Sequence, residues 1–232
     1  MRYAVLGTGI VGRTIAGKLA ALGHEVVVGT RDPQATLART EPDAYGNPPI
    51  AEWLAQHTRV RLLCFADAAA FGAAVVNTTA GAVSLQALEA AGADNLAGKV
   101  LLDIANPLDF SQGMPPSLNP VGTDSLGEQI QRAFPATKVV KTLNTMNAAV
   151  MVDPSRVAGE HNVFVCGDDT DAKKLVTELL AEFGWPRQSV IDLGDITGAR
   201  GTEMLLPVWL RLWGVLGHTD FNFQIQGARP GA

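Results

Sequence analysis

Cysteine, histidine and tyrosine are scarce in this chain, and each shortage removes a class of chemistry. The two cysteines, Cys64 and Cys166, sit inside apolar runs (RLLCF and VFVCG) and read as small buried thiols, not as a disulfide framework. His24, His57, His161 and His218 are scattered, with no HxH or HxxxH pair, so no metal site is expected. The chain has no Tyr-x-x-x-Lys pair, and no histidine stands at a strand end beside a carboxylate. Two common proton donors for carbonyl reduction are thereby missing. Blocks of like charge are absent as well, and a net charge of −5 gives no footprint for nucleic acid. The longest apolar stretch near the end, MLLPVWLRLWGVLG, is too short to span a bilayer and holds Pro207 and Arg211. The chain opens MRYAVLGTG, with a strand from its second or third residue, so no signal or transit peptide is expected and a cytoplasmic protein is.

What is present is core-forming material. With 47% hydrophobic and 18% charged residues, the 232-residue chain suffices for one large α/β domain or one domain with a small lobe. Short β-branched runs alternate with Ala/Leu-rich stretches. Strands are predicted at 3–6, 25–29, 60–64, 74–78, 100–104, 139–143, 163–166 and 190–193. Each run is continuously apolar, as in parallel strands covered on both faces. Helices are predicted at 11–22, 84–91 and 125–134, the last opened by a capping box of Ser125 and Glu128. The expectation is an α/β, doubly wound parallel sheet of the Rossmann type. Residues 1–150 would form its nucleotide-binding domain. Residues 151–232 would form a small lobe that extends the sheet and ends in an apolar helix. Two Pro-rich segments, 43–50 and 109–124, read as loops, and the second follows a strand on the side where ligands bind. The terminal helix lacks a wet face, and Trp209 and Trp213 are four residues apart. It is expected to be buried, either within its own subunit or in a homodimer.

Gly7-Thr8-Gly9-Ile10-Val11-Gly12 matches GxGxxG between a strand and a helix. Gly7 permits the tight turn, Gly9 removes the Cβ that would block a pyrophosphate, and Gly12 lets the helix approach the sheet. Free amides at the start of that helix then receive the anion. The second strand ends EVVVGTRDP, without the acidic residue that accepts hydrogen bonds from an unmodified adenosine ribose. Thr30 offers a hydroxyl and Arg31 a planar fork of N–H groups, both suited to a 2′-phosphate. Asp32 before Pro33 fits a helix N-cap, its carboxylate aimed at backbone amides. The cofactor expected is NADP(H).

The nicotinamide of such a cofactor lies over the carboxyl ends of the later strands. Those ends hold Thr78 and Thr79, Asn106, and Asn144 with Met146. They are small, mostly polar and uncharged. Lys141 is the lone strand-end cation, facing solvent or paired with an acid. Hydride exchange with a flavin-like ring needs mainly stacking, alignment and exclusion of water, and suits these residues better than carbonyl reduction.

GTGxxG, then VVGTR, then VFVCGDD before an Ala/Lys/Leu helix, resembles the F420-dependent NADP reductase family and the related oxidoreductase domain of STEAP metalloreductases. The resemblance implies an NADP-dependent enzyme that moves a hydride between NADP(H) and the deazaflavin F420 or a flavin. It implies that Thr8, Gly9, Ile10 and Val11 hold the pyrophosphate, and Thr30 with Arg31 the 2′-phosphate. It puts Thr78 and Ala148 on the dinucleotide, and Asn144, Met146 and Pro207 around the deazaflavin slot. Where such proteins carry a further Arg after the 2′-phosphate pair, this chain has small or apolar residues near Ala35. The expected partner is a small-molecule redox acceptor, with no nucleic acid or membrane and with a second copy of the chain. A carbonyl or imine reductase using NADPH, and a non-enzymatic NADP(H) sensor, remain as alternatives.

Overall fold

A computed structural model describes residues 1–43 and 46–227; Ala44 and Tyr45, within the polar segment 43–50, lie outside the described residues, as do 228–232. The sheet begins with β1 (Arg2–Leu6), β2 (Glu25–Thr30), β3 (Arg61–Cys64), β4 (Ala74–Asn77) and β5 (Val100–Asp103). A two-stranded hairpin follows, β6 (Leu108–Asp109) with β7 (Ser117–Leu118), then β8 (Lys138–Thr142), β9 (Val163–Cys166) and β10 (Val190–Asp192). The eight long strands form one sheet in the order β10-β9-β8-β5-β4-β1-β2-β3. From β3 to β8 neighbouring strands are parallel, which is the Rossmann arrangement. Every residue of β4, β5 and β9 is buried, as their unbroken apolar runs require.

Two strands depart from the all-parallel expectation. β9 runs antiparallel to β8, with Lys141 opposite Cys166, and β10 is parallel to β9. The link from β8 to β9 explains the reversal. Its only α-helix, α8 (Ala148–Val152), has five residues and rises roughly 7–8 Å. A five-residue strand such as β8 spans about 17 Å, so α8 alone is too short to serve as the helix that usually makes a parallel crossover. The chain therefore re-enters from the end it left.

Helices cover both faces. On one face α1 (Ile10–Ala21), α8 and α9 (Thr170–Phe183) pack over Val5, Val28, Val76 and Val140. On the other, α4 (Phe65–Phe71), α5 (Gly81–Ala91) and α7 (Leu126–Ala133) cover Leu6, Val75, Leu101 and Val139. The two-sided cover makes the sheet doubly wound. Short α2 (Pro33–Leu37) and α3 (Ile50–Gln56) join β2 to β3, and α6 (Ala93–Leu96) precedes β5. Half of the expected capping box forms: Glu128 N–H donates to Ser125 Oγ at 3.1 Å, but the Glu128 carboxylate accepts from the Ser125 hydroxyl at 2.7 Å and not from its backbone amide. The apolar terminal stretch is two helices, α10 (Ala199–Met204) and α11 (Leu206–Leu216), because Pro207 fits only a first helical turn. α11 is not wholly interior: Trp209 is buried, whereas Trp213 is 42% and Val215 82% exposed. No helix among the described residues is long and apolar enough to cross a membrane.

Candidate functional site

The loop from β1 to α1 is held open by three glycines with different reasons for lacking a side chain. Gly7 has φ +121°, and a Cβ on it would come within 2.8 Å of Thr78 Oγ1. A Cβ on Gly12 would lie 2.2 Å from the Gly7 carbonyl oxygen, an impossible overlap with backbone. Gly9 is the exception, since a Cβ there would meet nothing within 4 Å. Its φ of −71° is open to any residue, so neither backbone nor packing demands glycine. As N-cap of α1 it makes no side-chain cap, which leaves first-turn amides of α1 free for an outside acceptor. Arg13, buried on α1, ties the loop from below by donating to the carbonyls of Thr8 and Pro48.

Beside this loop lies a cleft of about 820 Å³ whose lining includes Gly7, Thr8, Gly9, Thr30, Arg31, Thr78 and Thr79. Asp32 caps α2 by accepting from the Ala35 amide at 3.0 Å, as expected of an Asp-Pro start. Thr30 is buried, and its hydroxyl shares a 3.0 Å hydrogen bond with that of Thr36. Arg31 is exposed, with no ion pair or side-chain hydrogen bond among the described residues. Arg39 lines the same cleft from beyond α2. Nothing in the sequence marked it, because Arg39 falls outside the strand-to-helix motif.

The carboxyl ends of β4, β5 and β8 are built differently. Asn77 is fully buried and donates to Asp103 at 2.8 Å and to Ser84 at 3.2 Å, while the Thr79 hydroxyl donates to Asn77 Oδ1 at 2.7 Å. Lys141, without solvent exposure, bonds Asp103 at 2.9 Å, Glu203 of α10 at 2.8 Å, and the Ala105 carbonyl. All three ammonium protons are committed. Burial alone would pull the Lys141 pKa down, but the two carboxylates hold it above the ordinary lysine value. Glu203 also accepts from the Leu126 and Gly127 amides at the start of α7, at 2.9 and 3.1 Å. Of the two sequence options for Lys141, pairing is the one realised. Its second partner is invisible locally, 62 positions away.

Asn106 and Asn144 bracket each other: Asn144 Nδ2 donates to Asn106 Oδ1 at 3.0 Å, and Asn106 Nδ2 to the Asn144 carbonyl at 2.8 Å. Leu143, just before, has φ +62° and is buried. A left-handed branched residue costs on the order of 1–3 kcal/mol and persists only where surroundings impose it. Met146 and Ala148 belong to the core on the α1 face, at 6% and 7% exposure. Ala148 opens α8, capped by Asn147. Pro207 is exposed in the first turn of α11. Thus Gly7, Thr8, Gly9, Thr30, Arg31, Thr78 and Thr79 share one cleft. Ile10, Val11 and Gly12 form the start of α1 beside it. Asn106, Asn144, Met146, Ala148 and Pro207 lie off its lining. The thiols stand apart: Cys166 is buried, its pKa pushed up to about 12 by desolvation, and Cys64 is half-buried.

Comparison with known proteins agrees with this geometry. Residues 2–107 match the family described as NADP oxidoreductase, coenzyme F420-dependent. A crystal structure from Arthrobacter sp. FB24, provisionally named an F420-dependent NADP-reductase, is 66% identical and superposes with a TM-score of 0.93. The match covers 97% of this chain and 99% of that one. The F420-dependent NADP reductase of Methanocaldococcus jannaschii is 27% identical over 91% of this chain and 92% of its own. Rat metalloreductase STEAP3 is 30% identical over 90% of this chain, which spans 38% of the rat protein's length. The chain belongs to the coenzyme F420-dependent NADP oxidoreductase family.

Proposed function

We propose that this NADP-dependent oxidoreductase transfers a hydride between NADP(H) and a flat-ring acceptor, the deazaflavin F420 or a flavin. The observation that carries the reading is the unfilled space over Gly9. The fold has no use for that glycine, whereas a pyrophosphate crossing the loop needs it. In this reading Thr8, Gly9, Ile10 and Val11 bind the pyrophosphate through the amides of the loop and first turn of α1. Thr30 and Arg31 take the 2′-phosphate, and Thr78, Thr79, Asn106 and Ala148 flank the rest of the dinucleotide. Bound NADPH supplies a hydride at its nicotinamide ring. Asn144 and Met146, with Pro207 of α11, then align the acceptor and exclude water. Residues 1–150 act as the dinucleotide-binding domain, and residues 151–232 as the lobe that completes the acceptor side.

A hydride passed between two rings asks for alignment rather than a proton donor on the protein. The site suits that demand: Lys141 has no proton to spare, and Asn77, Thr79 and Ser84 hydrogen-bond one another. The decisive experiment follows absorbance at 340 nm while protein and NADPH meet F420, FMN, FAD or small carbonyls in turn. Rapid oxidation with F420 or a flavin is expected. Turnover of carbonyls alone would replace this reading with that of a carbonyl or imine reductase, and no turnover with any would favour a sensor. Exposed Val208, Trp213, Val215 and Leu216 of α11 support a homodimer joined through this helix. Sedimentation as a monomer at every concentration would remove that part.

A further inference from the structure

We infer that Arg39 is a second cation of the 2′-phosphate site and, with Arg31, sets the preference for NADPH over NADH. This deepens the cofactor reading above and rests on it. Arg31 stands one residue before the N-cap of α2, and Arg39 one residue after its C-cap, Ala38. The five-residue helix between them is roughly 7–8 Å long, less than the combined reach of two arginine side chains. Both residues line the cleft that contains Gly9 and Thr30. Both are exposed, and neither has an ion pair or side-chain hydrogen bond among the described residues. Two unengaged arginines flanking one short helix thus line the same open space.

The other groups at this end leave a second cation work to do. A phosphate monoester carries about 1.5–2 negative charges near neutral pH, more than one guanidinium neutralises. Thr30 offers one hydroxyl, and that hydroxyl already shares a bond with Thr36. The start of α2 cannot serve as an anion site, because Asp32 occupies it and adds a negative charge to the cleft. Ala35, on the cleft side of α2, has nothing to contribute. Arg39 supplies the missing charge from the far end of the helix.

The test is equilibrium titration of NADPH and NADH against the whole protein and the variants Arg39→Ala, Arg39→Lys and Arg31→Ala. Arg39→Ala is expected to weaken NADPH about ten- to a hundredfold, the loss of one charged hydrogen-bonding group, and to change NADH binding less than about twofold. Arg39→Lys should recover part of the loss, since charge returns without the fork. If Arg39→Ala binds NADPH like the wild type while Arg31→Ala does not, Arg39 is a solvated surface residue and the inference fails alone. Equal losses for both cofactors on Arg39→Ala also overturn it, placing the side chain against the adenosine. If Arg31→Ala still discriminates between the two cofactors as well as the wild type, the 2′-phosphate reading itself falls. Arg39 is exposed and caps nothing, and a circular dichroism spectrum matching wild type confirms that each variant is folded.

Discussion

The two ends of the nucleotide crevice are made from similar polar residues and treat them in opposite ways. At the β2 end, Arg31 and Arg39 are exposed and unengaged. At the β4, β5 and β8 end, buried Asn77 and Lys141 both bond the buried Asp103, and buried Asn144 bonds Asn106. An open group with spare donors is ready to hold a ligand. A buried group with its donors largely spent fixes the shape of a slot and has little left for acid or base work. Under the proposed function, charge would grip the cofactor at the open end and the packed end would only shape its slot.

The sharpest way to break the contrast is to remove Lys141. Lys141→Met leaves Asp103 and Glu203 buried without their counter-charge, and losing one partner of a buried ion pair costs about 3–5 kcal/mol. Arg31→Ala, at the open end, should move stability by no more than about 0.5 kcal/mol. Urea denaturation of both variants measures the difference, and equal midpoints would erase it. The pH dependence has a definite sign. Pairing raises the Lys141 pKa in the folded protein, so its contribution is fully present below the unfolded value near pH 10.4. It is lost only as pH rises through the folded value, and stability from this group should be flat from pH 6 to about 9.

A smaller effect separates two glycines of one motif. Gly12→Ala drives a methyl into the Gly7 carbonyl and should cost about 1–3 kcal/mol of stability as overpacking. Gly9→Ala adds a methyl where the fold has only space, so its melting temperature should match the wild type while NADPH binding falls. Calorimetric melting beside NADPH titration distinguishes them. A destabilised Gly9→Ala would show that the fold itself needs this glycine, and one that binds NADPH normally that the open space serves no ligand.

How much of this was legible beforehand follows the range of the interactions. GTGIVG, the Asp32 cap and the Ser125 cap are local, each confined to a few consecutive residues, and the structure forms all three. The strand runs were legible too, because burial on both faces writes itself as unbroken apolar sequence. Strand direction was not: the reversal at β9 depends on how short α8 is, and no apolar pattern encodes that. The partners of Lys141 come from β5 and α10, 38 and 62 positions away, so only the folded sheet could name them. Arg39 escaped notice for the opposite reason, as an exposed arginine without a motif looks like any solvated one.

The mildest test bears on the reaction end. Asn144 is held by Asn106 through a 3.0 Å bond and follows the left-handed Leu143. Asn144→Ala removes that side-chain bond but leaves Asn106 donating to the residue's carbonyl, so the loop should keep its course. In the orienting role proposed for it, the loss is one hydrogen bond, about 0.5–1.5 kcal/mol in kcat/KM with a true acceptor. Binding of NADPH should stay near the wild-type value, and the pH profile should not move, because an amide exchanges no proton in this range. Stopped-flow hydride transfer beside NADPH titration separates the two quantities. A thousandfold loss with a displaced pH profile would mean that proton transfer runs through this bracket. The paired network would then be part of an acid–base relay, and a carbonyl as substrate would explain the site better than a flat ring.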